Sequence, residues 1–417
     1  MEYKVGFGKT NLPIEIDDKN LLGVLHANKV DIDLVGEAEV KRALENPIGS
    51  TKIRDIVKKG DKVAIVTSDI TRPMPSKLVL PFILEELEKA EIKDEDITIV
   101  FALGSHRFHT KEEKKYLVGE EIYSRYLCID SDTKDYIHFG YTKNQTPIDI
   151  FRPVAEADKR ICLGNIEFHY FAGYSGGAKA IMPGVSTRGA IQANHSRMVD
   201  EKAYAGNLNT NPVRLDIEET IEHMPIDFIL NVVLNEDKEI IKAVAGHYID
   251  AHREGCKFLD NLYKIPLKEK ADIVITSIGG YPKDLNLYQA QKALDNAKHA
   301  VKEGGIIILV ASCKEGLGEK VFEDWIMEAK KPEDLIERVK RKFELGGHKA
   351  AAIAMVLEKS KVFLVSELEE TFVRNTFLDP FHDLQSAYNK AIEYKGKESK
   401  VILIPHGGSI LPYRSEN

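Results

Sequence analysis

The sequence predicts an α/β protein of two doubly wound units, and three observations carry that prediction. The runs KVAIVTS (62–68), ITIVFAL (97–103) and RICLG (160–164) are apolar and rich in β-branched residues, as strands buried on both faces are. They empty into polar, glycine-bearing loops followed by helix-like stretches, the rhythm of a parallel sheet covered by helices. The same rhythm restarts at Asp272, and a chain of 417 residues is too long for one ordinary core.

Taken in order, the chain opens with a short strand pattern at Tyr3 to Phe7. A helical spacing follows in DIDLVGEAEVKRALENPIG and ends at Pro47–Gly49. The 62–68 strand leads into Asp69-Ile70-Thr71-Arg72-Pro73 and the helix-like SKLVLPFILEELEKA. The 97–103 strand leads into Gly104-Ser105-His106-Arg107-Phe108-His109, after which Thr110 to Glu113 reads as a capping box. Residues 212–223 read as a helix, DFILNVVLNEDKEIIKAVAG as a hairpin turning at Asn235 to Lys238, and DAHREGCKFLDNL as a helix. The charged, Pro266-bearing YKIPLKEKA is the expected boundary. Beyond it come strand DIVITS, Gly279-Gly280-Tyr281-Pro282, helix LYQAQKALDNAKHAV and strand GIIILVAS. Helices around Trp325, Leu335 and Ala351 precede strand KVFLVS, helix HDLQSAYNKAIEYKG and strand KVILIPHGGS.

A net charge of −8 with no offsetting basic patch argues against a nucleic-acid partner. LIERVKRKFE alternates in sign and reads as a solvated helix face. The four cysteines, Cys128, Cys162, Cys256 and Cys313, lie far apart with no C-x-x-C pair, which fits a reducing compartment and gives no zinc or iron–sulfur signature. No eighteen-residue apolar run occurs and MEYKVGFGKT has no apolar signal region, so a cytoplasmic protein without a membrane segment is expected.

The richest stretch is GNIEFHYFAGYSGGAKAIMPGVSTRGAIQANHS (164–196), with His169, His195, Lys179 and a glycine-rich turn at Gly173, Gly176 and Gly177. Gly176–Gly177 would free backbone N–H groups for an anion, and AKAIM after them would begin a helix whose N-terminus favours phosphate. It is not a P-loop, because Ala180 stands where that signature needs Ser or Thr after its lysine. Lys179 can pair with an anion or, if burial lowers its pKa, act as a nucleophile. His195 can ligate a metal or act as a base. A flexible surface loop with a solvated lysine is the competing reading. Because ligands bind at the carboxyl ends of strands in such sheets, Asp69, Arg72, His106, His169, Lys179 and His195 are expected to gather on one edge. Each has a bland alternative: Asp69 as a helix cap, Arg72 as its ion-pair partner, His106 as an exposed loop histidine. Gln289 and Lys292 share a helix face three residues apart, and Lys292 reads equally as a surface lysine.

Several stretches are specific enough to name a family. The chain resembles the nickel-pincer-dependent lactate racemases nearly end to end. The resemblance is carried by NPIGS (46–50), SD-x-TRP (68–73), GSHR (104–107), HYFAGYSGGAK (169–179), Pro183–Gly184, ANHS (193–196), NVVL-x-EDK (231–238), GGYP (279–282) and YQA-x-K (288–292). It implies two α/β domains with Rossmann-like parallel sheets and the active site in the interdomain cleft. The expected division is 1–266 for the cofactor-anchoring domain and 267–398 for the domain closing over substrate, with the final strand, 399–417, returning to the first.

The resemblance implies roles residue by residue. Lys179 is similar to the lysine that carries a nickel(II) pyridinium-3,5-bisthiocarboxylic acid mononucleotide through a thioamide. His195 resembles the protein ligand that completes its square-planar S, C, S coordination. Gly173, Ser175, Gly176 and Gly177 would hold the cofactor's phosphate, with Asp69 beside the cofactor or the histidine pair. His106 and His169 resemble the two acid/base histidines. Arg72, Gln289 and Lys292 would position the carboxylate and oxygen of a 2-hydroxy acid. Hydride removal avoids the carbanion that deprotonating so weakly acidic a Cα would require, and two histidines serve the two enantiomers. Enzymes that build the cofactor are implied partners.

The sequence departs from the family at Ile70 and Ala178, where lactate racemase has a histidine and an arginine. His348, in FELGGHKAAA, falls near the position of a tryptophan beside the substrate methyl, which suggests a larger or more polar acid such as malate or a sugar acid; the bland alternative is a surface histidine. An NAD-dependent dehydrogenase would share the layout, but no G-x-G-x-x-G follows a strand. A nickel or nucleotide carrier without turnover would need the cofactor residues but not the histidine pair.

Overall fold

The computed structural model describes residues 1–414 and resolves two compact units, Val30–Asp260 and a split unit made of Met1–Lys29 with Asn261 onward. A six-stranded sheet forms the middle of each.

In the larger unit the sheet runs Ile240–Gly246, Phe228–Leu234, Lys159–Asn165, Val63–Ser68, Ile97–Ala102, Leu127–Asp130, parallel except for the first strand. The three predicted strands are present to within a residue at either end, because continuous apolar runs are stable only where both faces are covered. Ile65, Ile99 and Phe101 pack against the helices Gly36–Glu45 and Ser76–Lys89. The second of these buries Val79, Leu80, Ile83, Leu84 and Leu87, one stripe of a 3.6-residue period. The capping box at Thr110 forms as its sequence predicts, with the Glu113 amide donating to Thr110 Oγ1 at 3.2 Å and the Thr110 amide to Glu113 Oε2 at 2.8 Å. The predicted hairpin also forms, joining Phe228–Leu234 to Ile240–Gly246.

One local expectation fails. After Gly176–Gly177 there is no α-helix, only the single 3-10 turn Gly177–Ala180, and the next helix is Arg188–His195, capped by Thr187. Pro183 has no N–H to extend an i→i−4 ladder, so the run AKAIM cannot propagate.

The split unit corrects the domain boundaries. Its sheet runs Asp379–Phe381, Ser360–Val365, Val301–Val310, Ala271–Ser277, Val401–Ile404, Leu21–Val24, parallel throughout. The final strand joins residues of the expected 1–266 range only at Leu21–Val24, which themselves belong to the split unit: Val401–Ile404 lies between Ala271–Ser277 and Leu21–Val24. Ile402, Leu403 and Ile404 are apolar on both faces and need a covered, central position, which this sheet supplies. The N-terminal hairpin Glu2–Phe7 with Thr10–Glu15 buries Val5 and Ile14 in the same core. The expected linker is itself structured, since Lys264–Leu267 pairs in parallel with Leu411–Arg414. Residues 415–417 of the expected returning strand lie outside the described residues. Among the described residues no helix is long and apolar enough to cross a membrane.

Candidate active site

The parallel register places Ser68 opposite Ala102, so the loops that follow the two central strands of the larger unit leave the sheet side by side. Asp69 starts one loop and His106 lies in the other, and Asp69 Oδ2 closes a very short contact with His106 Nδ1. Asp69 Oδ1 accepts from the Thr71 hydroxyl at 2.8 Å and the Thr71 amide at 3.2 Å. Burial alone would raise the Asp69 pKa. The bond to His106 and its charge, then the Thr71 hydroxyl and the Arg72 charge, outweigh burial and hold it below the ordinary carboxylate value. An ionised carboxylate only accepts, so His106 carries a proton on Nδ1, and its neutral form has the lone pair on Nε2.

A second pair supports this loop, and sequence reasoning missed it. The Ile70 amide donates to His109 Nε2 at 3.1 Å, so His109 bears its proton on Nδ1, which lies 2.7 Å from Asp130 Oδ1. Lys114 Nζ lies 3.1 Å from Asp130 Oδ2. His109 stood in the sequence as the second histidine of GSHRFH, with nothing local to show that it turns back onto the preceding loop. Arg107 is engaged with Glu113 at 2.6 Å and serves the capped helix.

Three further predicted residues surround one ring. Phe171 has the His169 ring at 4.5 Å, the His195 ring at 5.0 Å and Lys179 Nζ at 5.9 Å from its centroid. The short strands Phe168–His169 and Gly173–Tyr174 pair antiparallel and hold Phe171 in the connecting turn. His169 Nδ1 accepts from the Ala172 amide at 3.2 Å, and a backbone N–H can only donate. His169 therefore carries its proton on Nε2, the reverse of His106. Burial, then the charges of Lys179, Arg72, His195 and Arg214, hold the His169 pKa well below the usual value. Lys179 is likewise held well below the lysine range, by burial and then by the Arg214 and Arg72 guanidiniums. The contacts thus bring His169, Lys179 and His195 to one ring and His106 to Asp69.

Arg214 was absent from the sequence-predicted set. It is fully buried on the helix Pro212–His223, donates to the carbonyls of Ala172 and Tyr174, and lies 3.8 Å from Glu218. A buried guanidinium that holds the turn before Lys179 has no signature in sequence, where it is one more arginine in a helix.

The glycine-rich turn is built for close packing. A Cβ on Gly173 would lie 2.2 Å from the Asn207 carbonyl oxygen, one on Gly176 2.7 Å from Asn231 Oδ1, and one on Gly177 2.9 Å from the His252 ring. The amides are largely engaged: that of Gly177 with Asn231 Oδ1 at 2.7 Å, that of Ser175 with the Glu167 carbonyl, that of Lys179 with the Gly176 carbonyl. The open anion cradle expected of Gly176–Gly177 is thus not present at Gly177. Ser175 Oγ donates to the Asn165 carbonyl at 2.7 Å and accepts from the Glu167 amide at 2.8 Å, so it fastens the turn.

Gln289, Lys292 and His348 belong to the split unit. The first two lie on the helix Leu287–Ala297, whose first turn is capped by Asn286 accepting from the Gln289 amide at 3.0 Å. His348 is buried near the start of the helix Gly347–Leu357, and its Nδ1 accepts from the Gly346 amide at 3.1 Å. It is not the surface residue of the bland alternative.

In this doubly wound unit a carboxylate-backed histidine stands on one loop, and a second histidine and a half-buried lysine share the Phe171 ring. Two family models match, the lactate racemase N-terminal domain over residues 7–206 and the lactate racemase C-terminal domain over 267–411. The lactate racemase of Thermoanaerobacterium thermosaccharolyticum is 35% identical over 420 residues, covering 98% of each chain. That of Lactiplantibacillus plantarum is 33% identical over 417 residues, covering 97% of this chain and 98% of the other. The solved structure of the T. thermosaccharolyticum lactate racemase apoprotein superposes with a TM-score of 0.90 at 33% identity, over 99% of this chain and all of that one. A protein from Thermotoga maritima shares the fold, with a TM-score of 0.61 at 20% identity over 90% of this chain and 96% of that one. The chain belongs to the lactate racemase family, whose reaction class is isomerisation.

Proposed function

We propose that this chain is a 2-hydroxy acid racemase or epimerase that inverts C2 by reversible hydride transfer, with His106 and His169 as its acid/base pair. The observation that carries the proposal is the opposite hydrogen-bonded state of these two imidazoles. His106 Nδ1–H is held by Asp69, leaving Nε2 able to take a proton, whereas His169 Nδ1 is held by the Ala172 amide, leaving Nε2–H able to give one. A racemase needs both at once, since the hydroxyl of each enantiomer meets a different histidine.

The residues fit the nickel-pincer nucleotide at two points. Lys179 offers a desolvated amine whose charge is disfavoured, the state required for a thioamide bond. His195 offers one imidazole, and among the described residues no group of three His, Cys, Asp or Glu could hold a metal by itself. His195 would hold a nickel ion carried by the nucleotide. When bound, that group would supply a hydride acceptor. His106 would take the hydroxyl proton as the Cα–H bond opens, and Asp69 would stabilise the imidazolium that results. Arg72 would hold the substrate carboxylate. Proton return from His169 Nε2 to the substrate oxygen would complete inversion. His348, with Nδ1 accepting from Gly346 and its proton on Nε2, favours a substrate bulkier or more polar than lactate.

The test is racemisation followed by chiral chromatography in protein co-produced with the cofactor-building enzymes. His106→Ala and His169→Ala should each lower turnover by about 10²–10⁴ fold while retaining nickel. Full turnover in either variant would remove the pair from the mechanism. Retention of every other property by the double variant, in a wild type that never turns over, would favour a carrier. Lactate turned over as fast as bulkier hydroxy acids would count against the substrate assignment.

A further inference from the structure

Behind His195 lies a buried polar chain that begins at Asn194 of the ANHS stretch. His195 is the last residue of the helix Arg188–His195, and its Nδ1 lies 2.8 Å from Asn194 Oδ1. Asn194 is completely buried, and its Nδ2 donates to the Val213 carbonyl at 3.1 Å and to Asp216 Oδ2 at 2.8 Å. Asp216, also buried, accepts from the hydroxyls of Thr142 at 2.5 Å and Thr146 at 2.6 Å, and the Thr146 amide donates back to Thr142 Oγ1 at 3.2 Å.

Direction follows from donor and acceptor chemistry alone. A carbonyl and a carboxylate only accept, so the Asn194 atom that faces Val213 and Asp216 must be its NH2 group. The atom facing His195 is then the amide oxygen, which also only accepts. His195 must therefore bear a proton on Nδ1, and in its neutral form its lone pair is on Nε2.

We propose that Asn194 and Asp216 are positioning residues that lock His195 in the tautomer presenting Nε2 as a metal donor. This rests on His195 being the protein's nickel ligand. The carboxylate fixes the amide, the amide fixes the imidazole, and Thr142 with Thr146 fixes the carboxylate. Partners that orient a ligating histidine typically change metal affinity by about 10- to 100-fold when removed.

Two measurements on the full-length protein test it. In ¹⁵N-histidine-labelled apoprotein, with the His195 signals assigned by comparison with His195→Ala, the ring should be the Nδ1–H tautomer; an Nε2–H tautomer overturns the proposal. In holoprotein freed of loose metal by gel filtration, Asn194→Leu should lower retained nickel at least about 10-fold. Asp216→Asn keeps the shape of the site but lets the 194 amide turn over, so it should give mixed tautomers and a smaller nickel loss with a cooperative melt. Unchanged tautomer and unchanged nickel in Asp216→Asn overturn the proposal even if Asn194→Leu fails to fold. Wild-type nickel in His195→Ala would instead sink the ligand assignment, while the apoprotein tautomer still tests the locking on its own.

Discussion

The two six-stranded sheets finish in loops of different kinds. At the carboxyl edge of the larger unit, the loops carry ionisable side chains paired with one another: Asp69 with His106 and His109 with Asp130. At the same edge of the split unit, the loops carry backbone. A Cβ on Gly280 would lie 2.9 Å from the Gly8 carbonyl oxygen and one on Gly407 2.1 Å from Thr276 Oγ1. Its buried carboxylate, Asp284, accepts from the Gly8 and Ser312 amides at 2.7 and 3.1 Å. The central strands of both sheets run parallel, so the edge marks where chemistry can be placed, and the side chains decide whether it is. A carboxylate that fixes an imidazole is a device for proton transfer. One that fixes two amides is a staple.

Substitutions in matched pairs put this contrast to the test. The largest effect is expected at the two aspartates. Asp69→Asn lets His106 adopt the other tautomer and should lower kcat by at least about 10²-fold, with the melt shifted little. Asp284→Asn should do the reverse, costing about 1–3 kcal/mol of stability in urea unfolding with kcat nearly intact. Equal effects of the two on kcat would erase the distinction.

Next come two glycines of similar φ. Gly176, at φ +75°, has Asn231 Oδ1 2.7 Å from where a Cβ would sit, whereas Gly304, at φ +71°, has nothing within 4 Å. Gly304→Ala should cost only the left-handed strain of about 1–2 kcal/mol. Gly176→Ala should exceed that by denaturant midpoint and also impair cofactor attachment at Lys179. A Gly176→Ala chain as stable as Gly304→Ala would show that the turn can give.

The smallest effect is a pH window in the apoprotein. Lys179 has a native pKa well below its unfolded value of about 10.4. Between those two values the unfolded chain binds the extra proton, so wild-type stability rises with pH there. Lys179→Met lacks this dependence. The variant should therefore be more stable than wild type at neutral pH, with a margin that narrows as pH climbs toward about 10.4. A margin that is constant with pH would mean that Lys179 is solvated and charged, as in the bland reading of its loop.

By itself the sequence determined the local elements and the motif residues. Continuous β-branched runs fixed the central strands, Thr110 with Glu113 fixed a cap, and the loops after those strands, with the motifs resembling the lactate racemases, marked His106, His169, Lys179 and His195 as candidates. These are properties of neighbouring residues, and the physics of strands, caps and turns acts over a few positions. Tertiary structure decided which sheet the ends of the chain join, because a strand such as Val401–Ile404 is apolar on both faces and reads the same beside either sheet. It also decided every long-range polar partner: Arg214 under the Lys179 turn, His109 behind Ile70, and Asn194 with Asp216 behind His195. A buried polar side chain takes its role from the groups it is folded against, and tens of residues of intervening sequence carry no record of that pairing.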